Sequence, residues 1–202
     1  MMDTAETAFF GHKGVELSVE EVADYPYAAA YVRTDNFPQV VAVLDRVSGE
    51  QRVYKTGGNE AIATRFGRVL TSSGIPGMTL FTRNWQADPL NCHVQQLSRK
   101  TSDACATVWQ REVITGNYGE NDIHLDTLNS SFSLGEKRDY THPDGTELEV
   151  TVIHEAGKAD EVEFRNEFYA VNGRVVYAHQ WVSPAIGYVT WREMKPFDGD
   201  LK

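Results

Sequence analysis

Basic residues are in short supply in this chain. Nineteen lysines and arginines stand against 29 aspartates and glutamates, leaving a formal charge of −10 and an isoelectric point near 5.0. Such a surface repels phosphate backbones, and no basic stripe with interleaved aromatics offsets it, so nucleic acid is not an expected partner. Anionic membrane surfaces are disfavoured for the same reason. No apolar run approaches the roughly 18 residues that a membrane span needs. The opening stretch, MMDTAETAFFGHKG, lacks a basic region followed by an apolar one, so no secretory signal is read and a cytoplasmic location is expected.

Cysteine is nearly absent, with Cys92 and Cys105 alone. If Cys92–Ser98 and Ala104–Ile114 form a hairpin closed around Lys100–Ser102, Cys105 falls near Leu97 and Cys92 near Gln110. Each then misses the other, and free thiols are expected, as in a reducing compartment.

Catalytic signatures are missing too. There is no His-x-His pair, no His-Glu-x-x-His helix, no Cys-x-x-Cys and no Gly-x-Ser-x-Gly elbow. His124 and Asp126 leave the same face of one strand, and His142, His154 and His179 follow later, but without paired ligand spacing no metal is expected. Adjacent Cys92 and His93 on a strand point to opposite faces and make no dyad. The stretch KTGGNE, Lys55–Glu60, lacks both phosphate-loop patterns and reads as a turn into a helix capped by Asn59. No cofactor is expected.

What is present is an ordinary globular composition, 41% hydrophobic and 24% charged, long enough at 202 residues for one well-buried core. Residues 1–202 read as a single domain in two parts. In residues 1–76, strand-like Tyr27–Thr34 and Gln51–Lys55 alternate with two helical patterns, one at residues 36–49 through Phe37, Val40, Val41 and Leu44, the other at residues 57–74 through Ile62, Phe66, Val69 and Leu70. From residue 77 to 196 nine strand-like runs follow, separated by hairpin-length breaks rich in Gly, Pro, Asn and Asp. So many hairpin-linked strands remove most exposed edges by curling into an up-and-down antiparallel β-barrel of calycin-like architecture. An α+β cone or helix-grip cavity fold is the alternative.

The stretch Glu161–Val182, EVEFRNEFYAVNGRVVYAHQWV, is the most informative. A two-residue Asn172-Gly173 loop sets Val171 opposite Arg174. Counting back, Phe168 faces Tyr177, Asn166 faces His179 and Phe164 faces Trp181. Glu163, Arg165 and Glu167, opposite Val182, Gln180 and Ala178, mark the wet face. His154, Tyr140 and Arg138 are expected on the inward side of the neighbouring hairpin, with Leu148, Val150 and Val152. The facing of Trp109 and Arg111, and of Val189 and Trp191, is left open by alternation alone.

An Asn166–His179 pair on an aromatic wall satisfies itself in a closed core or orients a ligand in an open one. The expectation is a cavity for a small, largely apolar or aromatic molecule, lined by Phe164, Phe168, Trp181, Tyr140, Arg138 and His154. Its catalytic form is a cofactor-independent isomerase, cyclase or lyase, with His179 as acid or base and Tyr177 and Asn166 beside it. A carrier or sensor without chemistry, and an interaction module with a closed core, are the alternatives. The expected partner is a small molecule, with no nucleic acid and no membrane, and a homodimer is left open.

Overall fold

Twelve consecutive antiparallel strands close on themselves in the computed structural model, which describes residues 14–58, 60–75, 79–99, 104–116 and 123–201. They are β1 (Ala29–Thr34), β2 (Val40–Ser48), β3 (Gln51–Lys55), β4 (Ala61–Arg65), β5 (Arg68–Ser73), β6 (Thr79–Arg83), β7 (Val108–Gly116), β8 (Ile123–Thr141), β9 (Glu147–Ala159), β10 (Val162–Val171), β11 (Arg174–Ser183) and β12 (Gly187–Lys195). Each pairs with its neighbours in sequence, and β12 returns to pair with β1, so the barrel is of the up-and-down kind. The opening chain segment, Asn59, the Pro76-Gly77 break, the Lys100–Ser102 loop and the turn after Gly116 lie outside the described residues.

Both helices expected in the first 76 residues are strands instead. In β2, Val40, Ala42 and Leu44 belong to the barrel core, while Val41 packs outside it against Val22 of α1 (Val19–Ala23), a short helix closed by a Ser18–Glu21 capping box. With both faces covered, apolar residues fall at consecutive positions and imitate helical spacing. The second pattern is β4 and β5 joined through Phe66 and Gly67, both at positive φ. A phenylalanine at φ 49° gives no sequence signal for a two-residue turn.

The run expected as strand Cys92–Ser98 is helical. It lies in α2 (Pro89–Arg99), where Asp88 caps the first turn by accepting from Leu90 N at 3.0 Å and Pro89 fits the first helical position. Leu90, Val94 and Leu97, at helical spacing, join the barrel core. The helix also brings Cys92 to Cys105, 5.6 Å apart at Cα, and the two form a disulfide where free thiols were expected. In an up-and-down barrel alternate connections lie at the same end. Helix α2 therefore shares its end with the β2–β3, β4–β5, β8–β9 and β10–β11 turns, and its Ser98 sits against Gly173.

Of the six register shifts along the described ladders, two bear most directly on the expected site residues. The Asn172-Gly173 turn has positive φ at both residues and sets Val171 opposite Arg174, as expected. Beyond it Ala170 pairs with Val175 but Tyr169 pairs with Tyr177, so Val176 is an extra residue and the register slips by one. In β8 a second bulge between Leu134 and Lys137 bends the β8–β9 hairpin. Its far half crosses the outside of later strands: Tyr140 meets Tyr169 and Tyr177, His142 approaches Glu193, and Gly145 meets Val19.

Candidate functional site

The lumen that was to hold a ligand is filled by charge. Arg68 on β5 bonds Asp88 at 2.5 Å and lies 3.0 Å from Glu155 of β9, whose other oxygen accepts from Arg111 of β7 at 2.6 Å. All four side chains are buried. Asn166 donates to Glu155 at 2.8 Å and accepts from the Trp181 backbone N–H at 2.7 Å, so both ends of its amide are engaged. The two guanidinium groups lie against aromatic rings, Arg68 over Trp109 and Phe168 and Arg111 over Trp109 and Phe164. Burial alone raises the pKa of Glu155, yet Arg111 and Arg68, with the Asn166 amide, bring it down to about 2.

Gln180 ties the opposite walls together. Its amide donates to Gly67 O at 2.7 Å and accepts from Val69 N at 3.0 Å, reaching from β11 to β5 across the lumen. Beside this, Gly157 leaves room for the Phe164 ring, which a Cβ there would overlap at 2.3 Å. Ionic cluster, glutamine bridge and α2 together make a solid plug.

The expected ligand residues divide between two faces. Phe164, Asn166, Phe168 and Trp181 are buried, with Phe164 stacked on Trp181 at 5.1 Å. Tyr177 and His179 are not inward. The bulge at Val176 turns Ala178, Gln180 and Val182, expected on the wet face, into buried residues, and sends Tyr177 and His179 to the other side. Asn166 therefore never meets His179, which pairs across the ladder with Glu167. Tyr140, Arg138 and His154 share the outer face as well: Arg138 donates to the Tyr169 hydroxyl at 2.6 Å, and His154 lies 3.7 Å from Glu167.

His179 stacks on Tyr188 at 4.5 Å and its Nδ1 lies 3.0 Å from Thr190 Oγ1. Burial lowers its pKa, and burial pushes the Tyr140 hydroxyl up to about 12. The partners sequence reasoning missed are Arg68, Asp88, Arg111 and Glu155. The alternation around Trp109 and Arg111 was visible, but nothing in it says which face is inside.

Besides wider, more open depressions of about 500–610 Å³, two small cavities lie among the described residues, one at each end of the barrel. One, of about 160 Å³, is lined by Val32, Thr34, Phe37, Pro38, Val40, Thr56, Glu60 and Ile75. The other, of about 140 Å³, lies beside α2 between β3–β4 and β11–β12. Both fall below the roughly 300–1,000 Å³ of a pocket for a drug-sized ligand. Among the described residues no group of three or more His, Cys, Asp or Glu side chains is placed to hold a metal ion.

Residues 2–193 match the protein family described as group 4 capsule polysaccharide lipoprotein gfcB, YjbF. The chain belongs to this family. Two Escherichia coli K12 relatives are the uncharacterized lipoproteins GfcB and YjbF, 24% identical over 134 residues and 23% identical over 162. The alignments cover 66% of this chain and 58% of GfcB, and 80% of this chain and 72% of YjbF, so the match to GfcB spans less than two thirds of that protein. The crystal structure of the hypothetical lipoprotein YmcC, also from E. coli K12, superposes with a TM-score of 0.74 over 90% of each chain at 20% identity, which shows a shared fold.

Membership of the YjbF family corrects two expectations. These are lipoproteins named for a capsule polysaccharide, not isomerases, cyclases, lyases or carriers of an apolar small molecule. A lipoprotein is held at a membrane, so the cytoplasmic location fails with them. The physical reason for the first error is the plug, since an aromatic, Asn-bearing inner wall looks the same in sequence whether it faces a ligand or an arginine.

Proposed function

We propose that this chain is the folded body of an envelope lipoprotein of a group 4 capsule polysaccharide system. It acts by binding through its rim and outer surface, not through chemistry or passage inside the barrel. The observation that carries this reading is the plug: Arg68, Asp88, Arg111 and Glu155 neutralise one another across the lumen, and Gln180 and α2 close what they leave. No polymer threads such a barrel, and its buried acids and bases are engaged with one another instead of waiting for a substrate. The Cys92–Cys105 disulfide supports the envelope placement, because structural disulfides persist in oxidising compartments.

The test is deletion of the gene in its own host with complementation by the wild-type chain. Surface capsular polysaccharide should fall on deletion and return on complementation, and the protein should sediment with membranes. Unchanged polysaccharide, or a protein confined to the soluble cytosol, sinks the proposal.

A further inference from the structure

Three of the exposed apolar side chains stand together on one outer wall. Phe81, Ile123 and Leu125 are 49%, 73% and 57% exposed. Phe81 of β6 pairs with Ile114 of β7, which pairs with Leu125 of β8, so the three form one row across three strands. Ile123 stands two residues away along β8, on the same face. The next row is polar: Arg83 bonds Glu112 at 2.9 Å, and Glu112 lies opposite Thr127. A contiguous apolar patch with a polar border is the mark of an interaction surface.

The same stretch of β8 has a free edge. Its ladder with β9 begins only at Leu128, opposite Ala159, so among the described residues Ile123–Thr127 pairs through a ladder with β7 alone. Roughly 17 Å of strand therefore runs past the end of β9. It contains no lysine, proline or glycine to blunt the edge, and a strand in that state takes up another. The edge also complements itself. A twofold axis perpendicular to the sheet keeps the outer faces of two copies on one side, and the pleat then allows only registers centred on a residue. Centred on Leu125, the pairing uses the whole free stretch: Ile123 meets Thr127, and His124 meets Asp126 twice. Centred one residue earlier, His124 meets His124. Centred one residue later, Asp126 meets Asp126 and the strand runs into Leu128, where β9 already pairs. Burial, and then the neighbouring Asp160 carboxylate, raise the pKa of Asp126, so a further acid is disfavoured there and an imidazole is not.

We infer that a second copy of this chain pairs with the first through Ile123–Thr127 of β8, antiparallel and centred on Leu125. The walls β6 to β8 of the two copies then join into one six-stranded sheet, with Leu125 against Leu125 and Ile123 against Thr127 across the junction. So short a contact makes a weak dimer that dissociates on dilution. The inference goes beyond the capsule reading and does not depend on it, since the purified chain shows the pairing without polysaccharide.

The experiment is analytical ultracentrifugation of the full chain over a concentration series, with thermal melts of every variant. The mass should rise with concentration from 22.7 kDa toward twice that value. Leu125→Asp sets two carboxylates against each other at the axis and should weaken association about tenfold or more. Val108→Asp, at an exposed position of β7 outside the patch, should leave it unchanged. Cross-linking gives a second readout. Cys92 and Cys105 are bonded to each other, so a cysteine introduced by Leu125→Cys is the one free thiol. Under mild oxidation Leu125→Cys should yield a covalent dimer, and Val108→Cys should not. A monomer at every concentration up to about 1 mM overturns the inference. So does a dimer that Leu125→Asp leaves intact, or equal cross-linking from both cysteine positions. A monomer that sediments with phosphatidylcholine vesicles, and loses that binding in Leu125→Asp, assigns the patch to a lipid surface and discards the second copy.

Discussion

Strands β10 to β12 carry similar chemistry on their two faces and use it differently. Inward lie Phe164, Asn166, Phe168 and Trp191, and outward lie Tyr169, Tyr177, His179 and Tyr188. Each side of the barrel wall also holds an arginine–glutamate set, drawn mostly from other strands: Arg68, Arg111 and Glu155 inside, Arg138, Glu136 and Glu167 outside. Inside, every partner is desolvated, so each charge depends on the others for its stability. Outside, water replaces any partner that leaves. Composition alone therefore does not rank these residues; solvent access does.

The sharpest way to break this contrast is Glu155→Ala, which leaves Arg68 and Arg111 buried without their shared carboxylate. Chemical denaturation should show a loss of about 3–5 kcal/mol, against a far smaller loss for Glu136→Ala on the exposed outer face. Acid should act through the same group. Because the Glu155 pKa is depressed to about 2 when folded, its contribution is present above the ordinary carboxylate range near 4.5 and is lost as pH falls toward 2. Melting temperature should decline over that window, and a Glu155→Gln protein should show a shallower decline.

Next in size is the Cys92–Cys105 bridge, which closes a loop of 13 residues beside the plug. Replacing both cysteines with serine should cost about 3 kcal/mol by the chain-entropy estimate, with the wild-type protein under reductant losing a similar amount. No change in either would mean that α2 is held by its apolar face alone.

Asn166→Ala removes one bond to Glu155 and one to the Trp181 backbone, and should lower stability by about 1–3 kcal/mol. The smallest effect is expected at His179. His179→Ala loses a half-exposed stack on Tyr188 and a contact with Thr190, and should cost under about 1 kcal/mol at neutral pH. A double-mutant cycle of Asn166→Ala with His179→Ala should give coupling near zero, since the two side chains point to opposite faces. Strong coupling would restore the pairing that the bulge at Val176 denies.

Some of this was legible in advance. The turn chemistry of Asn172-Gly173 and the alternation of β10 are local, so the hairpin and the inward placement of Phe164, Asn166 and Phe168 followed from the sequence. The slip at Val176 did not, because a bulge among valines has no residue signature. The helix at Pro89–Arg99 had its signals, Asp88-Pro89 and the spacing of Leu90, Val94 and Leu97, but a short amphipathic stretch reads either way without its cap.

By itself the sequence determined a β-rich chain, hairpin-linked in order and closed as an up-and-down barrel. Those features depend on residues within a turn or a strand of one another, or on composition as a whole. Tertiary structure alone decided that Arg68, Asp88, Arg111 and Glu155 meet, that Cys92 reaches Cys105, and that His179 faces outward. Each of these depends on the register of strands and on a helix set across the barrel end. Buried charge is tolerated only where its partner arrives from a distant part of the chain, and local pattern carries no record of that partner.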